Sequence, residues 1–140
     1  MVCPMMSIEE LKIGQKEEFD FFLGEEEHNN FTKQIGDTSP IHTKKEFAIE
    51  KKFEDKIAYG FNVISHLSKF YGNVLPGGSS ICLNQEVKFS KPIYLNQFLK
   101  IEGEIIKIDK NLKIVTMKNK IFDEKGNLCI SGKGIVRVII

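Results

Sequence analysis

The feature that most constrains this chain is a change of hydrophobic period at the turn Pro76-Gly77-Gly78. Downstream of it, four stretches read as strands: about Ser80 to Phe89, Phe98 to Ile108, Lys113 to Phe122 and Leu128 to Ile139. Ile101, Gly103 and Ile105 alternate with Glu102 and Glu104, which predicts a strand with one wet face. Pro92, Asp109-Lys110-Asn111 and Asp123 to Asn127 separate the stretches, and Gly126 is free to take a positive φ in a hairpin loop. These short separations predict an antiparallel meander.

Upstream, the pattern is different. The turn Lys12-Ile13-Gly14-Gln15 leads into one strand, Glu17 to Phe22, which Gly24 ends. Glu25-Glu26-Glu27 then supplies the acidic first turn of a helix that Gly36 stops, since carboxylates suit the positive end of a helix dipole. A charged helical piece runs from Lys44 to Lys51, and Gly60 opens the most apolar helix, about Phe61 to Tyr71. Phe61, Ile64 and Tyr71 fall on one face of it and Val63, Leu67 and Phe70 on another. A helix apolar on most sides is expected to be buried. One strand, helical excursions and then four strands make an α+β chain, read as a single domain over residues 1–140, with an antiparallel sheet wrapped around a central buried helix. So small a sheet exposes strand edges, which predicts pairing with a second copy.

Composition narrows the functional classes. Twenty basic against 19 acidic residues give a formal charge of +1, so neither nucleic acid nor an anionic membrane is an expected partner. Arg137 is the only arginine, which largely removes bidentate phosphate clamps and leaves lysine point charges. Cys3, Cys82 and Cys129 show no metal-ligand spacing and read as reduced thiols, and no secretory signal or membrane-length apolar run is visible. A cytoplasmic protein with no metal and no cofactor is the expectation.

The polar cluster with chemical potential is Gly36-Asp37-Thr38-Ser39-Pro40-Ile41-His42. A carboxylate and an imidazole five positions apart, across a proline-stiffened turn, can face one cleft. The same spacing also suits an Asx turn followed by an ordinary histidine. His28, in the acidic helix, reads as solvated, and His66 as a hydrogen-bonded structural side chain.

The wider context resembles the MaoC-like, R-specific enoyl-thioester hydratases. The family pattern Gly-Asp-x-Asn-Pro-x-His, a helix with Phe-Ala, then Ile-Ala-His-Gly is matched by Gly36-Asp37, Pro40, His42, Phe47-Ala48 and Ile57-Ala58-Tyr59-Gly60. Leu75-Pro76-Gly77 and Phe89-Ser90-Lys91-Pro92-Ile93 continue it, so the likeness covers nearly the whole chain. The resemblance implies a dimeric hot-dog fold and reversible hydration of trans-2-enoyl thioesters carried on CoA or acyl carrier protein. It implies that Asp37 acts as general base on a water shared with His42, which moves a proton to the α-carbon. The Gly60 N–H would polarise the thioester carbonyl, and Ser39, Ile41, Tyr59, Phe61, Ile64 and Ser68 would line the substrate site. Ser39 stands where the family has Asn, and Tyr59 where it has His. Two other activities remain open on the same fold: an acyl-thioester-binding module without turnover, and thioester hydrolysis.

Overall fold

The computed structural model describes residues 3–140. A short 3-10 turn, Ile8–Glu10, precedes β1 (Lys16–Leu23). Three helices follow: α1 (Glu25–Ile35), α2 (Pro40–Thr43) and α3 (Lys45–Glu50). The central helix α4 spans Gly60–Asn73, and β2 (Ser80–Phe89), β3 (Gln97–Asp109), β4 (Ile114–Phe122) and β5 (Leu128–Val138) complete the chain. All five strands form one antiparallel sheet in the order β1-β3-β4-β5-β2.

The expected meander therefore holds only for β3, β4 and β5. β2 does not pair with β3; it lies against β5 at the far edge, and β3 pairs with β1 instead. The link after β2 explains the difference. Ile93 is buried there, and its carbonyl accepts the Ala58 N–H at 2.8 Å, so the segment is held across the start of α4 instead of closing a tight hairpin.

The inner face of the sheet is set by strand alternation. Phe19, Ile101, Ile121, Ile130 and Phe89 stand in one cross-strand row, on the side that meets α4. From the helix come Val63, Leu67, Phe70 and Tyr71, all buried. Burying each such large side chain stabilises the fold by about 1.5–3 kcal/mol. Gly103 permits the close approach of helix to sheet, because a Cβ there would stand 2.3 Å from the Phe70 ring. The alternation in β3 appears as Ile101, Gly103 and Ile105 buried with Glu102 and Glu104 half-buried, and Gly126 has φ +85°.

The central helix departs from the expectation in one respect: a stripe of it is open. Phe61 is 73% exposed, Ser65 and Ser68 are exposed, and Ile64 is half-buried. Phe61, Ser65 and Ser68 lie within about 60° of one another at 100° per residue, opposite Val63, Leu67 and Phe70. The sheet covers one side of α4 only.

Candidate active site

The turn that carries Asp37 begins with the end of α1. Gly36 takes the left-handed conformation at φ +82°, its N–H bonding the Thr32 carbonyl at 2.8 Å, so the helix stops and the chain turns towards α4. Asp37 then forms an Asx turn. Its Oδ1 accepts the Ser39 N–H at 2.9 Å and the Ser39 hydroxyl at 2.7 Å, leaving Oδ2 outside the turn. The Ser39 hydroxyl, then its amide, hold the Asp37 carboxyl below the usual carboxylate range. Pro40 opens α2, where a fixed φ and a missing N–H cost nothing, and this single turn of helix presents Ile41 and His42. α2 carries no separate sequence signal, since four residues are too few to show a helical period.

Ile57 clasps that turn from the other side. Its N–H donates to the Ile41 carbonyl at 3.0 Å, and its own carbonyl lies 2.7 Å from Nδ1 of His42. A carbonyl can only accept, so Nδ1 carries the proton and Nε2 of the neutral ring holds the free lone pair. Two residues further on, Tyr59 precedes α4 and Gly60 starts it. The Gly60 N–H is among the first four donors, which a helix cannot satisfy internally, and it sits at the positive end of the dipole.

His42 and Gly60 meet at one cavity of about 480 Å³. Its apolar walls include Ile57, Val63, Phe89 and Ile130, Phe61 lies at its edge, and Lys91 is the lysine in its lining. The side of Gly60 is already filled: a Cβ there would stand 2.6 Å from the Phe89 ring. A larger residue at 60 would therefore displace either the Phe89 ring or the start of α4. A basic nitrogen, a helix-end N–H and an apolar chamber with a carboxylate close behind can polarise a carbonyl and move a proton next to it.

Comparison with known proteins places the chain in a family. The family model described as MaoC like domain matches residues 9–125. The chain belongs to the MaoC-like domain family. An (R)-specific enoyl-CoA hydratase of Aeromonas caviae is 30% identical, over 95% of this chain and 99% of that protein. The solved structure of an A. caviae (R)-hydratase described as involved in PHA biosynthesis superposes with a TM-score of 0.87, covering 91% of this chain and 97% of the other at 30% identity. An unliganded R-hydratase, PhaJ1, of Pseudomonas aeruginosa gives 0.89 at 28% identity, over 98% of this chain and 87% of its own. The fold is thus the α+β hot-dog fold, and the family's enzyme class is that of the hydro-lyases.

Within this MaoC-like frame the other expected site residues separate. Phe61 lines the cavity. Asp37 is half-buried and outside the cavity lining, close enough to His42 for that ring to be the weakest of the influences on its carboxyl. Ser39 is engaged with Asp37. Ile41 and Ile64 are half-buried and Ser68 is exposed on the open stripe, none of the three in the cavity lining. Tyr59 is only 3% exposed and stands behind the wall.

His28 corrects the sequence expectation outright. It is 1% exposed, with Nε2 2.8 Å from the His42 carbonyl and its Nδ1 buried without a partner. Burial pushes its pKa down. Helical spacing alone hides this, because α1 is mostly polar and the ring is packed against Tyr59, which lies far along the chain. His66 is hydrogen-bonded to Glu27 at 2.9 Å and stacked on Phe21. Among the described residues no three His, Cys, Asp or Glu side chains are placed to hold a metal, and no helix is long and apolar enough to cross a membrane.

Proposed function

We propose that the protein adds water to trans-2-enoyl thioesters to give R-3-hydroxyacyl thioesters, and catalyses the reverse dehydration. The observation that carries this reading is the His42 tautomer at the cavity: Nδ1 fixed on the Ile57 carbonyl and Nε2 free. The acyl chain occupies the apolar cavity, and the thioester oxygen accepts the Gly60 N–H. The reacting water sits between Oδ2 of Asp37 and Nε2 of His42.

The proton roles differ from those the family resemblance suggested. Oδ1 of Asp37 already accepts two hydrogen bonds from Ser39, whereas the Nδ1 contact to the Ile57 carbonyl leaves the His42 lone pair on Nε2. His42 therefore takes one proton from the water as the hydroxide adds to C3. The C2–C3 π electrons move onto C2 and the thioester oxygen, where the Gly60 N–H stabilises the charge. The imidazolium, held beside the ionised Asp37, then returns that proton to C2. Water is consumed whole, with OH at C3 and H at C2.

A second copy of the chain completes the arrangement. Ile81, Leu83 and Phe89 on the edge strand β2, and Phe61 on α4, are each about half exposed or more. An apolar strand edge of this kind favours a homodimer. Lys91 at the cavity is placed to meet the phosphates of a CoA or carrier-protein thioester.

Purified protein is expected to convert crotonyl-CoA to 3-hydroxybutyryl-CoA. Asp37→Ala and His42→Ala should each lower kcat by about 10²–10⁴-fold while the unfolding midpoint is kept. Release of free CoA without a hydroxyacyl product would overturn the reading in favour of hydrolysis.

A further inference from the structure

Tyr59 adjoins each part of the proposed site without lining its cavity. Its hydroxyl lies 2.5 Å from the Asp37 carbonyl oxygen, its ring centroid is 4.2 Å from that of His42, and Gly60 is the next residue in the chain. The ring is enclosed by His28 at 4.8 Å and Phe31 at 4.9 Å, both on α1. It is not engaged in capping α4, since it makes no side-chain cap bond there.

Proton bookkeeping settles the direction of the hydrogen bonds. The Thr32 hydroxyl lies 2.8 Å from the Tyr59 oxygen and 3.1 Å from the His28 carbonyl. Two hydroxyl protons thus face three contacts, and the carbonyls of Asp37 and His28 can only accept. The His28 carbonyl already belongs to the hydrogen-bond ladder of α1. The arrangement that leaves neither hydroxyl contact without a proton is Thr32 O–H to Tyr59, and Tyr59 O–H to Asp37. Asp37 is then held from both sides: its carbonyl by Tyr59, its carboxylate by Ser39.

We infer that Tyr59 is a positioning residue, which fixes the Asp37 carboxylate relative to the His42 ring and the Gly60 N–H. This rests on the hydration reading for its catalytic consequence, though not for its structural one. It also gives a physical meaning to the departure from the family's His at residue 59. The tyrosine hydroxyl reaches beyond the ring to the turn that carries the acid, so ring packing and turn tethering are combined in one side chain.

Tyr59→Phe tests this, because it keeps the ring and removes the tether. The expected result is a fall in kcat of about tenfold with KM changed by less than about twofold, since loosening a reacting group affects the chemical step more than substrate binding. In an Asp37→Asn background the same change should have no further effect on the residual rate, because Tyr59 acts through Asp37. A raised KM with kcat kept would make Tyr59 a substrate contact and overturn the inference. An equal tenfold loss in both backgrounds, or a lower unfolding midpoint with kcat kept, would also overturn it. Amide hydrogen exchange at Ser39 gives a readout independent of turnover: the Ser39 N–H should exchange about tenfold faster in Tyr59→Phe, as the Asx turn opens more often. Unchanged exchange contradicts the tether. If wild type hydrates nothing, the hydratase reading fails, and the exchange measurement still decides the role of Tyr59.

Discussion

The two ends of α4 carry similar side chains in opposite circumstances. At the C-terminal end, Tyr71 is 5% exposed, and its hydroxyl lies 2.6 Å from Gln85 Oε1 and 3.0 Å from Asn119 Oδ1. Gln85 Nε2 donates to the same Asn119 oxygen at 2.8 Å. Burial pushes the Tyr71 phenol well above its usual range, and the leftover donor, Asn119 Nδ2, is walled in. At the N-terminal end, Tyr59 is equally buried, yet its hydroxyl tethers backbone, and the groups around it are left half engaged. Asp37 has one oxygen in its turn, and His42 has one nitrogen on Ile57. A polar network whose oxygens are engaged with one another and whose spare donor is sealed off builds a core. One that leaves an imidazole ring and a helix-end N–H at a cavity, with a carboxylate oxygen outside its own turn, has groups free for chemistry.

That contrast predicts which end answers to which substitution. The largest effect after loss of the dyad itself belongs to Gly60→Ala. The new methyl meets the Phe89 ring, so the ring or the helix end must shift, with an expected fall in kcat of about 10²-fold and a cost of about 1–3 kcal/mol of stability. Adding Phe89→Ala should restore the stability, as read by denaturant unfolding. A stable Gly60→Ala protein with full activity would remove the helix end from the site.

Tyr71→Phe should behave in the reverse sense. It leaves Gln85 Oε1 without the Tyr71 proton, while Asn119 Oδ1 keeps Gln85 Nε2, and should cost about 1–3 kcal/mol, measured by urea unfolding, with kcat unchanged. A fall in kcat without a change in stability would erase the distinction between the two ends.

The smallest expected effect is a pH dependence. Burial lowers the pKa of His28, so as pH falls through the ordinary imidazole range, near ~6.5, the unfolded chain gains a proton that the folded chain does not. Stability from this source is present above that range and is lost as pH falls towards the depressed folded value. His28→Gln removes the titration while keeping a side-chain donor for the His42 carbonyl. The slope of unfolding midpoint against pH between about 7 and 5 should flatten in this variant, and an unchanged slope would place the linkage elsewhere.

Much of this was legible in the sequence where a local rule decides. Strand limits came within one or two residues because alternation and turn residues mark them, and Glu25 to Glu27 after Gly24 marked the start of α1. Asp37, Pro40 and His42 stood out through the stiffness of their turn. Long-range choices were not legible. Nothing in β2 announces that its partner is β5, because the link that follows it is held by Ile93 against Ala58, just ahead of α4. Nor could helical spacing show that His28 is covered or Phe61 open, since both depend on which elements lie alongside. Tyr59 could be seen to be unusual, but the reach of its hydroxyl to Asp37 exists only in three dimensions.

The central claim is that the free groups at the N-terminal end of α4 add water across an enoyl thioester. Chiral analysis of the product formed by wild-type protein from crotonyl-CoA in deuterium oxide tests it most directly. The account predicts R-3-hydroxybutyryl-CoA carrying one deuteron at C2, with no free CoA. An S product, a product without C2 deuterium, or free CoA in place of the hydroxyacyl thioester would contradict it.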